Sequence, residues 1–473
     1  MLKRTKIVCT IGPASEAPEM LEKLMDAGMN VARLNFSHGD HQEHGARIEN
    51  IRNIEKTKGK AIGIMLDTKG PEIRCGIIEN DEIKVQVGDV IKVVKEEVIG
   101  NKERFHLQCP EVFDDLEVGD FLLIDDGKVR LDITDITKGV SATCKVFNAG
   151  SIKTRKGVNV PNVKLSMPFI SSKDDSDIRF GCKSGVDYIA ASFVRRAKDI
   201  DAIRDILIDE GCHNIRIIAK IENQEGYDNL DEILQTADAV MVARGDLGVE
   251  VSTALVPIYQ KKIIKKANEY GKAVITATHM LDSMTNNPRP TRAEASDVSN
   301  AVFDGTDCVM LSGESAAGLY PLETVKTMAT IAKSVEENLD HRLILDKAIA
   351  SSTDSIQDAI GASVSNACLT IDKVKAIVAF TQGGSTARRI SKFRPNVPII
   401  AVTFTKETLH NLSLSWGVIP VLSDIQNNMN NDDYLASKYA LEFGCQVGDY
   451  IIITAGYPTG EGTANMMKII EIK

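Results

Sequence analysis

The sequence has no long hydrophobic run and no hydrophobic leader. Its 473 residues contain no stretch of about 18 consecutive apolar residues, the length that a membrane-spanning helix requires. The first residues, MLKRTKIVCTIG, lack the hydrophobic region of a secretory signal, because the apolar run stops at Gly12 and Pro13. These absences predict a cytoplasmic protein without a membrane partner.

Cysteine is sparse and unpaired, and positive charge is in deficit. The nine cysteines are scattered singly, with no C-x-x-C pair, which argues against a disulfide framework or a zinc site and predicts reduced thiols. A net charge of -10 disfavours non-specific binding to nucleic acid. The length allows about two or three globular domains, each with its own core.

Short β-branched runs alternate with amphipathic segments over two long parts of the chain. This alternation implies parallel strands that are joined by helical crossovers. Eight strands begin near Lys6, Asn30, Ala61, Val186, Ile215, Asp238, Lys272 and Asp307. Eight strand-helix units predict an α/β fold, a (β/α)8 TIM barrel built from residues 1–70 and 165–340.

Two further domains are predicted from the rest of the chain. Residues 71–164 lack helical periodicity and carry many strand and turn signals, including Asp126-Gly127, which suits a hairpin. They predict an all-β domain inserted after the third barrel strand. Residues 341–473 begin with a polar stretch, DKAIASSTDS, and continue with a helix to Thr370, alternating strands and a helix that contains Trp416. They predict a C-terminal α/β domain with an open sheet.

Polar side chains follow the barrel strands at their carboxyl ends, where a barrel of this kind builds its active site. In NVARLNFSHG, Arg33, Asn35 and Ser37 alternate along one face of the second strand. The other strands end in Asp67 and Thr68 (third), Lys220 and Glu222 (fifth), Arg244, Gly245 and Asp246 (sixth), Thr276 and Thr278 (seventh), and Ser312 and Glu314 (eighth).

These residue types favour an anionic substrate and a hard cation. Glu222 and Asp246 fit a Mg²⁺ pair, because Mg²⁺ takes one or two carboxylates together with water and substrate oxygens. Arg33 and Lys220 indicate a phosphate or carboxylate ligand. The segment ARGDLGVE adds a turn that begins a short helix, whose free N–H groups would bind an anion. The combination indicates phosphoryl transfer or enolate stabilisation.

Six segments resemble the signature segments of the pyruvate kinase family and occur in that family's order. They are NVARLNFSHG, LDTKGPEIR, KIEN, MVARGDLG, NPRPTRAEASDV and DGTDCVMLSGESAAGLYPLE. The resemblance runs from Lys3 through the barrel and its insertion and continues more loosely to the C-terminus. It implies transfer of the phosphoryl group of phosphoenolpyruvate to ADP, giving pyruvate and ATP as the last step of glycolysis, by an enzyme that is commonly a homotetramer.

The resemblance also implies roles for the barrel residues. Lys220 would stabilise the phosphoryl group in transit, and Arg33 would bind the phosphate. Glu222 and Asp246 would hold Mg²⁺ or Mn²⁺, and the N–H groups of Gly245 and Asp246 would bind the substrate carboxylate. All of these residues stand at positions that match the family's motifs.

A monovalent cation site and a nucleotide site are implied in the same way. The ligands of the cation, usually K⁺, would be Asn35, Ser37, Asp67 and the carbonyl of Thr68. Glu72 in DTKGPEIR is typical of the K⁺-dependent members, whereas K⁺-independent members carry lysine there. Arg74 and Lys156 would contact nucleotide phosphates, so the insertion would be a lid that excludes water from the barrel mouth.

Histidine and threonine positions complete the barrel site. By resemblance, Thr278 would assist protonation of the enolate carbon through water. His279 stands where relatives often carry Gln or Met, and no catalytic role follows for it. His38, His41 and His44 are three residues apart, but a solvated helix start is expected there, because the implied cations prefer oxygen ligands.

The segment TQGGSTARRISKFRP predicts a strand, a Gly-Gly turn and a helix start, which together form a phosphate cradle. In the family this region resembles an allosteric site for a sugar-phosphate or nucleotide effector, completed by a late loop that reads AGYPTGEGTAN here. The cradle would comprise Thr381, Gly383, Gly384, Ser385 and Thr386. The alternative is a capped helix start without a ligand.

Two other functions could use parts of the same residue set. A metal-dependent aldolase would stabilise a pyruvate enolate for carbon–carbon chemistry, but it would leave Arg74, Lys156 and the lid without a purpose. A catalytically silent metabolite sensor would be marked by loss of Lys220 or Glu222, and both are present.

Overall fold

Twenty-two strands form one closed barrel and three further sheets in the computed structural model, which describes residues 3–457 and 464–473. In chain order the strands are β1 (Lys6–Thr10), β2 (Val31–Asn35), β3 (Gly63–Asp67), β4 (Ile73–Arg74), β5 (Glu82–Val85), β6 (Val90–Val94), β7 (Arg104–His106), β8 (Phe121–Ile124), β9 (Val129–Thr137), β10 (Ser141–Val146), β11 (Gly150–Lys153), β12 (Gly157–Asn159), β13 (Tyr188–Ala191), β14 (Arg216–Ile221), β15 (Ala239–Ala243), β16 (Ala273–Ala277), β17 (Cys308–Leu311), β18 (Val374–Phe380), β19 (Ile399–Thr403), β20 (Val418–Leu422), β21 (Tyr450–Ala455) and β22 (Met466–Glu471).

Helices connect most of the barrel strands and flank the C-terminal sheet. They are α1 (Pro18–Ala27), α2 (His41–Lys58), α3 (Val112–Asp115), α4 (Ser172–Ser184), α5 (Ala197–Asp209), α6 (Gln224–Asp228), α7 (Leu230–Thr236), α8 (Arg244–Glu250), α9 (Val256–Glu269), α10 (Arg292–Phe303), α11 (Gly313–Ala316), α12 (Pro321–Glu336), α13 (His341–Ala350), α14 (Ile356–Thr370), α15 (Ser385–Lys392), α16 (Lys406–Asn411) and α17 (Asp432–Glu442). Short 3₁₀ turns cover Glu79–Asp81 and Asp282–Thr285.

The eight-stranded barrel is confirmed. Its strands close in the order β1-β17-β16-β15-β14-β13-β3-β2, and all neighbours are parallel. Every predicted strand start lies within about two residues of the observed one, because the β-branched runs are sharply bounded by polar and glycine residues. The carboxyl ends of the eight strands therefore lie at one end of the barrel, where the polar residues were expected.

The interior of the barrel is layered, with an apolar layer below a charged one. Alternate residues of a strand face the same side, and on four of the strands an inward apolar residue is followed two positions later by an inward polar one. Four such pairs are Val8 and Thr10, Val31 and Arg33, Met65 and Asp67, and Ile218 and Lys220. The strand pattern alone thus collects charge at the carboxyl end of the barrel.

A segment of the C-terminal domain closes the opposite, amino end of the barrel. Leu414 packs into the apolar cluster that fills the barrel interior. Its carbonyl oxygen lies 3.2 Å from the Sγ of Cys308, and the Tyr188 hydroxyl donates to the carbonyl of His410 at 2.9 Å. The barrel and the C-terminal domain therefore share one core at this end.

The insertion is a β domain with its own apolar core around Phe105 and Phe113. Seven strands run in the order β4-β12-β8-β9-β10-β6-β7, and β5 pairs with β11. The hairpin expected at Asp126-Gly127 connects the antiparallel strands β8 and β9, and both residues have positive φ. Apart from the 3₁₀ turn and the one-turn helix α3, the prediction of an inserted β domain is confirmed.

The C-terminal domain is an open five-stranded sheet, as predicted, in the order β20-β19-β18-β21-β22. One local expectation was wrong, the placement of Trp416. The polar stretch DKAIASSTDS begins within α13, which extends to Ala350 from a start capped by Asp340, whose side chain accepts from the Leu343 N–H. Trp416 lies in a turn after α16 rather than in a helix, where Arg4 and Arg394 stack against its ring.

The nine cysteines, all within the described residues, are free thiols, as the sequence predicts. Within residues 3–457 and 464–473, none of the helices combines the length and apolar character that crossing a bilayer demands.

Candidate active site

The carboxylate of Asp67 lies at the centre of the charged layer. Its Oδ2 accepts from the Nε of Arg33 at 2.5 Å, and its Oδ1 accepts from the Nζ of Lys220 at 3.0 Å. Arg33 also donates to the Oγ1 of Thr10 at 2.9 Å. Burial alone would raise the pKa of Asp67, but the charges of Arg33 and Lys220 outweigh it and hold the pKa below its ordinary value. The carboxylate is therefore ionised.

Lys220 is a buried ammonium held between two carboxylates. Only 7% of the residue is exposed, and Nζ lies 3.0 Å from both Asp67 and Glu222. Burial alone would lower the pKa of Lys220, yet Asp67 and Glu222 raise it above its ordinary value. A solvated ion pair at a strand end is therefore excluded, and the ammonium keeps its charge.

Glu222 is a buried carboxylate whose negative charge is only partly compensated. Its Oε2 accepts from the backbone N–H of Phe193 at 2.6 Å. Burial raises the pKa of Glu222 to about 7, against the attraction of Lys220 and with a further contribution from the nearby Asp246. A divalent cation beside Glu222 and Asp246 would supply the missing positive charge.

The donor set fits Mg²⁺ or Mn²⁺ better than a metal enclosed by protein ligands alone. Among residues 3–457 and 464–473 there is no group of three or more His, Cys, Asp or Glu side chains that could hold a metal ion. Two carboxylates with open coordination positions suit Mg²⁺, which keeps several waters and takes substrate oxygens. Glu222 and Asp246 offer such a pair.

The oxygens expected to bind a monovalent cation gather at the ends of β2 and β3. The strands pair with Asn35 opposite Asp67, and the Asn35 Oδ1 accepts from the Ser37 N–H at 3.2 Å. The Thr68 carbonyl accepts from the Ser192 hydroxyl at 2.7 Å and keeps a second lone pair. Amide, carbonyl and carboxylate oxygens suit a hard cation.

The end of the seventh barrel strand is strained. Thr278 and His279 have φ values of 65° and 53°, a left-handed conformation that costs a residue with a side chain roughly 1–2 kcal/mol. The Thr278 hydroxyl donates to the Ala277 carbonyl and accepts from the Gly245 N–H, both at 2.7 Å. Arg244 donates to the Thr278 carbonyl at 2.7 Å, so the surrounding contacts hold this conformation in place.

The sixth strand leads directly into a helix, as the sequence predicts. α8 begins at Arg244, one residue after the end of β15. The Gly245 N–H, expected to bind a substrate carboxylate, donates to the Thr278 hydroxyl. An arriving carboxylate would therefore replace that hydroxyl at the helix start.

The two cations expected to bind nucleotide phosphates lie close together in the insertion, Arg74 on β4 and Lys156 directly before β12. Arg74 pairs with Gly157 across β4 and β12, next to Lys156. Each cation already has a carboxylate partner: Arg74 lies 2.7 Å from Glu72, and Lys156 lies 2.9 Å from Asp125. A nucleotide would have to compete with these carboxylates.

The predicted phosphate cradle of the C-terminal domain has the expected strand-turn-helix form. Gly384 has a φ of 80° and precedes α15, which begins at Ser385. Arg388 donates to the Gly383 carbonyl at 2.8 Å. Three members of the cradle are buried, namely Thr381, Gly384 and Thr386. The late loop AGYPTGEGTAN lies partly outside the described residues, which omit 458–463.

The histidine triplet at the start of α2 is neither a metal site nor fully solvated. Asp40 caps the helix by accepting from Glu43 N–H. His44 is buried, stacks on Phe36 at 3.9 Å and contacts the His38 carbonyl. The expectation of a solvated helix start was wrong for His44, because the polar triplet conceals one inward-facing position.

Two residues of the site escaped the sequence argument, Ser192 and Phe193. They follow the fourth strand, β13, in VDYIAASF, and neither side chain carries a charge. The Ser192 hydroxyl accepts from Lys220 at 2.6 Å, and the Phe193 N–H binds Glu222. Their place at a strand carboxyl end was the available signal.

A parallel barrel whose strand ends hold a buried ammonium between carboxylates defines an enzyme that acts on anionic substrates. Comparison with known proteins narrows this class. The profile described as "Pyruvate kinase, barrel domain" matches residues 2–325, and "Pyruvate kinase, alpha/beta domain" matches residues 358–470. The chain belongs to the pyruvate kinase family.

Individual relatives agree with this assignment. The chain is 54% identical to a pyruvate kinase of Staphylococcus haemolyticus and 53% identical to one of Bacillus licheniformis; each match covers 99% of this chain and 80% of the relative. A crystal structure of a pyruvate kinase from Cryptosporidium parvum superposes with a TM-score of 0.95 at 38% identity, covering 100% of this chain and 96% of that one.

The comparisons establish the reaction class expected from the motifs. The protein is a phosphotransferase of the pyruvate kinase type, which converts phosphoenolpyruvate and ADP to pyruvate and ATP. The aldolase and silent-sensor alternatives find no support among these matches.

Proposed function

We propose that phosphoryl transfer takes place at the carboxyl end of the barrel and that Lys220 stabilises the group in transit. The observation that carries this proposal is the buried ammonium, 3.0 Å from both Asp67 and Glu222. A charged group that is fixed in advance and shielded from water offsets the negative charge of the transferring oxygens without reorganising during the reaction.

Arg33 binds the substrate phosphate. Contacts from its Nε to Asp67 and its Nη1 to Thr10 fix the plane of the guanidinium. A planar, fixed guanidinium recognises phosphate with defined geometry.

Glu222 and Asp246 hold Mg²⁺ or Mn²⁺, and a second set of oxygens holds K⁺. The K⁺ ligands are Asn35, Ser37, Asp67 and the Thr68 carbonyl. When bound, the divalent ion supplies Lewis-acid stabilisation of phosphoryl and enolate oxygens. The residues of the chain position the reactants around it.

Gly245, Asp246 and Thr278 act on the pyruvate half of the substrate. The substrate carboxylate replaces the Thr278 hydroxyl at the Gly245 N–H and also binds the N–H of Asp246. The released hydroxyl orients a water that passes a proton from bulk solvent to the methylene carbon of the enolate, so the water is not itself consumed. The bond from phosphorus to the enol oxygen breaks as the bond to the ADP oxygen forms.

Arg74 and Lys156 bind the nucleotide phosphates, and the insertion, residues 71–164, covers the barrel mouth. Exclusion of water prevents hydrolysis of the phosphoryl group during transfer. When ADP binds, its phosphates replace Glu72 and Asp125 as the partners of Arg74 and Lys156. ADP binding is thereby coupled to the position of the lid.

Three wider features complete the proposal. A sugar-phosphate or nucleotide effector binds at the cradle from Thr381 to Thr386, which the strand-turn-helix geometry supports. The enzyme is a cytoplasmic homotetramer, as the resemblance to the family implies. Pyruvate and ATP leave as products.

Replacement of Lys220 tests the central role. Lys220→Met should lower ATP formation from phosphoenolpyruvate and ADP by at least about three orders of magnitude, because a charged contact to the transferring group is lost. Exchange of the pyruvate methyl protons with deuterium, measured by NMR in the presence of Mg²⁺, should remain detectable, since enolisation uses other groups.

Lys272→Met is the matched control. Lys272 donates to the Ala237 carbonyl at 2.7 Å near the amino end of the barrel, far along the strands from the site. This variant should keep near wild-type turnover. ATP formation by Lys220→Met within tenfold of wild type would refute the role of Lys220.

A further inference from the structure

The hydroxyl of Ser192 joins the two cation-binding halves of the site. Ser192 is 2% exposed and follows the fourth barrel strand, whose end contributes no charged side chain to the proposed mechanism. Its Oγ accepts from the Lys220 Nζ at 2.6 Å, the shortest contact that this ammonium makes.

The proton of that hydroxyl points toward the monovalent site. Oγ lies 2.7 Å from the Thr68 carbonyl but 3.3 Å from the Asp67 Oδ1. A hydroxyl donates one proton, and the shorter contact identifies the carbonyl as its acceptor. Lys220, Ser192 and Thr68 therefore form one directed chain of hydrogen bonds.

The backbone around Ser192 keeps this chain in place. The Ser192 N–H donates to the Thr68 hydroxyl at 3.1 Å, and the Thr68 N–H donates to the Ala190 carbonyl at 3.0 Å. On the far side, Gly70 approaches so closely that an added Cβ would lie 2.8 Å from the Ser192 Cβ. The hydroxyl therefore has little freedom to move away from Thr68.

We infer that Ser192 is a positioning residue that couples occupancy of the monovalent cation site to the placement of the Lys220 ammonium. A cation on the Thr68 carbonyl polarises that group and fixes its orientation, and the hydroxyl passes this constraint to Nζ. The inference rests on the proposed K⁺ ligands and on the proposed role of Lys220, and it assigns to Ser192 a part that charge and motif reasoning do not reveal.

The test measures K⁺ binding directly as well as turnover. The thermal unfolding midpoint of the full chain is followed as KCl replaces tetramethylammonium chloride at constant ionic strength, since a ligand that binds the folded state raises the midpoint. In Ser192→Ala, the K⁺ concentration at half-maximal shift should rise about tenfold, as when the support of a metal ligand is lost.

Kinetics separate positioning from a merely structural role. Ser192→Ala should lower kcat by about tenfold or more, because the ammonium is misplaced in the transition state, and should change the KM for phosphoenolpyruvate much less. Ser192→Cys keeps a weak donor and acceptor, so its kcat should lie between that of the wild type and that of Ser192→Ala. A structural role alone would lower the unfolding midpoint equally at every K⁺ concentration.

Ser391→Ala is the matched control. Ser391 is also a buried serine whose hydroxyl donates to a carbonyl at 2.7 Å, here that of Trp416. It should leave the K⁺ dependence unchanged. The inference is overturned if Ser192→Ala keeps the wild-type K⁺ concentration at half-maximal shift, or, should that variant not fold, if Ser192→Cys keeps it.

Failure of the proposed function gives a different result. If the unfolding midpoint of the wild type does not change with K⁺ concentration, both the proposed K⁺ site and this inference are wrong. Loss of activity in Lys220→Met would still support the role of Lys220 in phosphoryl transfer. A K⁺-sensitive wild type with an equally sensitive Ser192→Ala would overturn the inference alone.

Discussion

Gly70 shows how a single residue without a side chain supports the charged layer. It has a φ of 74°, and an added Cβ would lie 2.8 Å from the Ser192 Cβ and 3.1 Å from the Ser192 carbonyl oxygen. Gly70→Ala should cost ~1–2 kcal/mol for the left-handed conformation and ~1–3 kcal/mol for overpacking. It should also raise the K⁺ concentration needed for half-maximal activity, because Ser192 must move.

The control for this prediction is Gly59→Ala. Gly59 has a φ of 63° with nothing within 4 Å of an added Cβ, so only the conformational cost applies. Unfolding midpoints and K⁺ titrations of both variants distinguish strain from crowding. Equal losses in the two variants, with unchanged K⁺ dependence, would contradict the crowding argument.

At the scale of single residues, the sequence predicts which charged side chains belong to the site better than it predicts which uncharged side chains contact them. Lys220 and Glu222 could be found because alternation on a strand places both on one face. Ser192 could not, because its contact with Lys220 joins residues 28 apart in the chain through a turn in which Phe193 adopts a φ of 57°. No local pattern indicates that a serine there reaches an ammonium.

Among the elements, β4 carries Arg74 and the residue directly before β12 is Lys156, the two cations proposed to bind the nucleotide. Asp125 binds both Lys156 at 2.9 Å and Lys128 at 2.8 Å, and nucleotide phosphates would compete with it for Lys156. Lys156→Met should raise the KM for ADP by about tenfold or more, as expected when a charged contact is lost. Asp125→Asn should lower that KM. The KM for phosphoenolpyruvate should change little in either variant.

Lys128→Met tests whether loss of any positive charge beside Asp125 is enough to raise the KM for ADP. Lys128 shares the same carboxylate but is 67% exposed, so its loss should leave the KM for ADP near the wild-type value. Steady-state kinetics with ADP varied give all three comparisons. A higher KM for ADP in Asp125→Asn would indicate that Asp125 orders Lys156 for the nucleotide instead of competing with it.

Element boundaries were predictable where composition changes sharply and unpredictable where tertiary contacts decide. The barrel strands are short β-branched runs between polar segments, and their starts were found closely. Trp416 lies in a turn instead of the predicted helix. Its actual turn depends on Arg4 and Arg394, which stack on the ring from distant parts of the chain.

At the scale of the whole molecule, a charged contact joins the barrel to the C-terminal domain. His410 lies between Glu55 and Asp187. Burial alone would lower the pKa of His410, but hydrogen bonds to Asp187 and Glu55 raise it from 6.5 to about 9. The imidazolium therefore stabilises the folded state fully below pH 6.5, and this contribution is lost as the pH rises through about 9.

His410→Gln should expose this contribution in thermal unfolding. The variant should be less stable than wild type at pH 6, by at most ~3 kcal/mol, and the difference should shrink toward zero by about pH 10. His213→Gln, at an exposed histidine, is the control for loss of an imidazole at the surface. A gap between His410→Gln and wild type that stays constant from pH 6 to pH 10 would contradict the charge argument.

At the scale of the molecule, the order of domains was predictable, but their shared core was not. The count of eight strand-helix units separates the barrel from the C-terminal sheet, and the lack of helical periodicity marks the insertion. The packing of Leu414 into the barrel interior is invisible in the sequence, since one leucine in a serine-rich turn carries no periodic signal.

Leu414 covers the amino end of the barrel, although the barrel strands, from Lys6 to Leu311, all precede it by more than a hundred residues. A fragment of the chain that ends after α12 would lack this cover, so Cys308 and Tyr188 would be exposed to solvent at the amino end of the barrel. We therefore expect the barrel and the C-terminal domain to fold together, and a chimaera that takes its C-terminal domain from a relative should need residues matched to this contact.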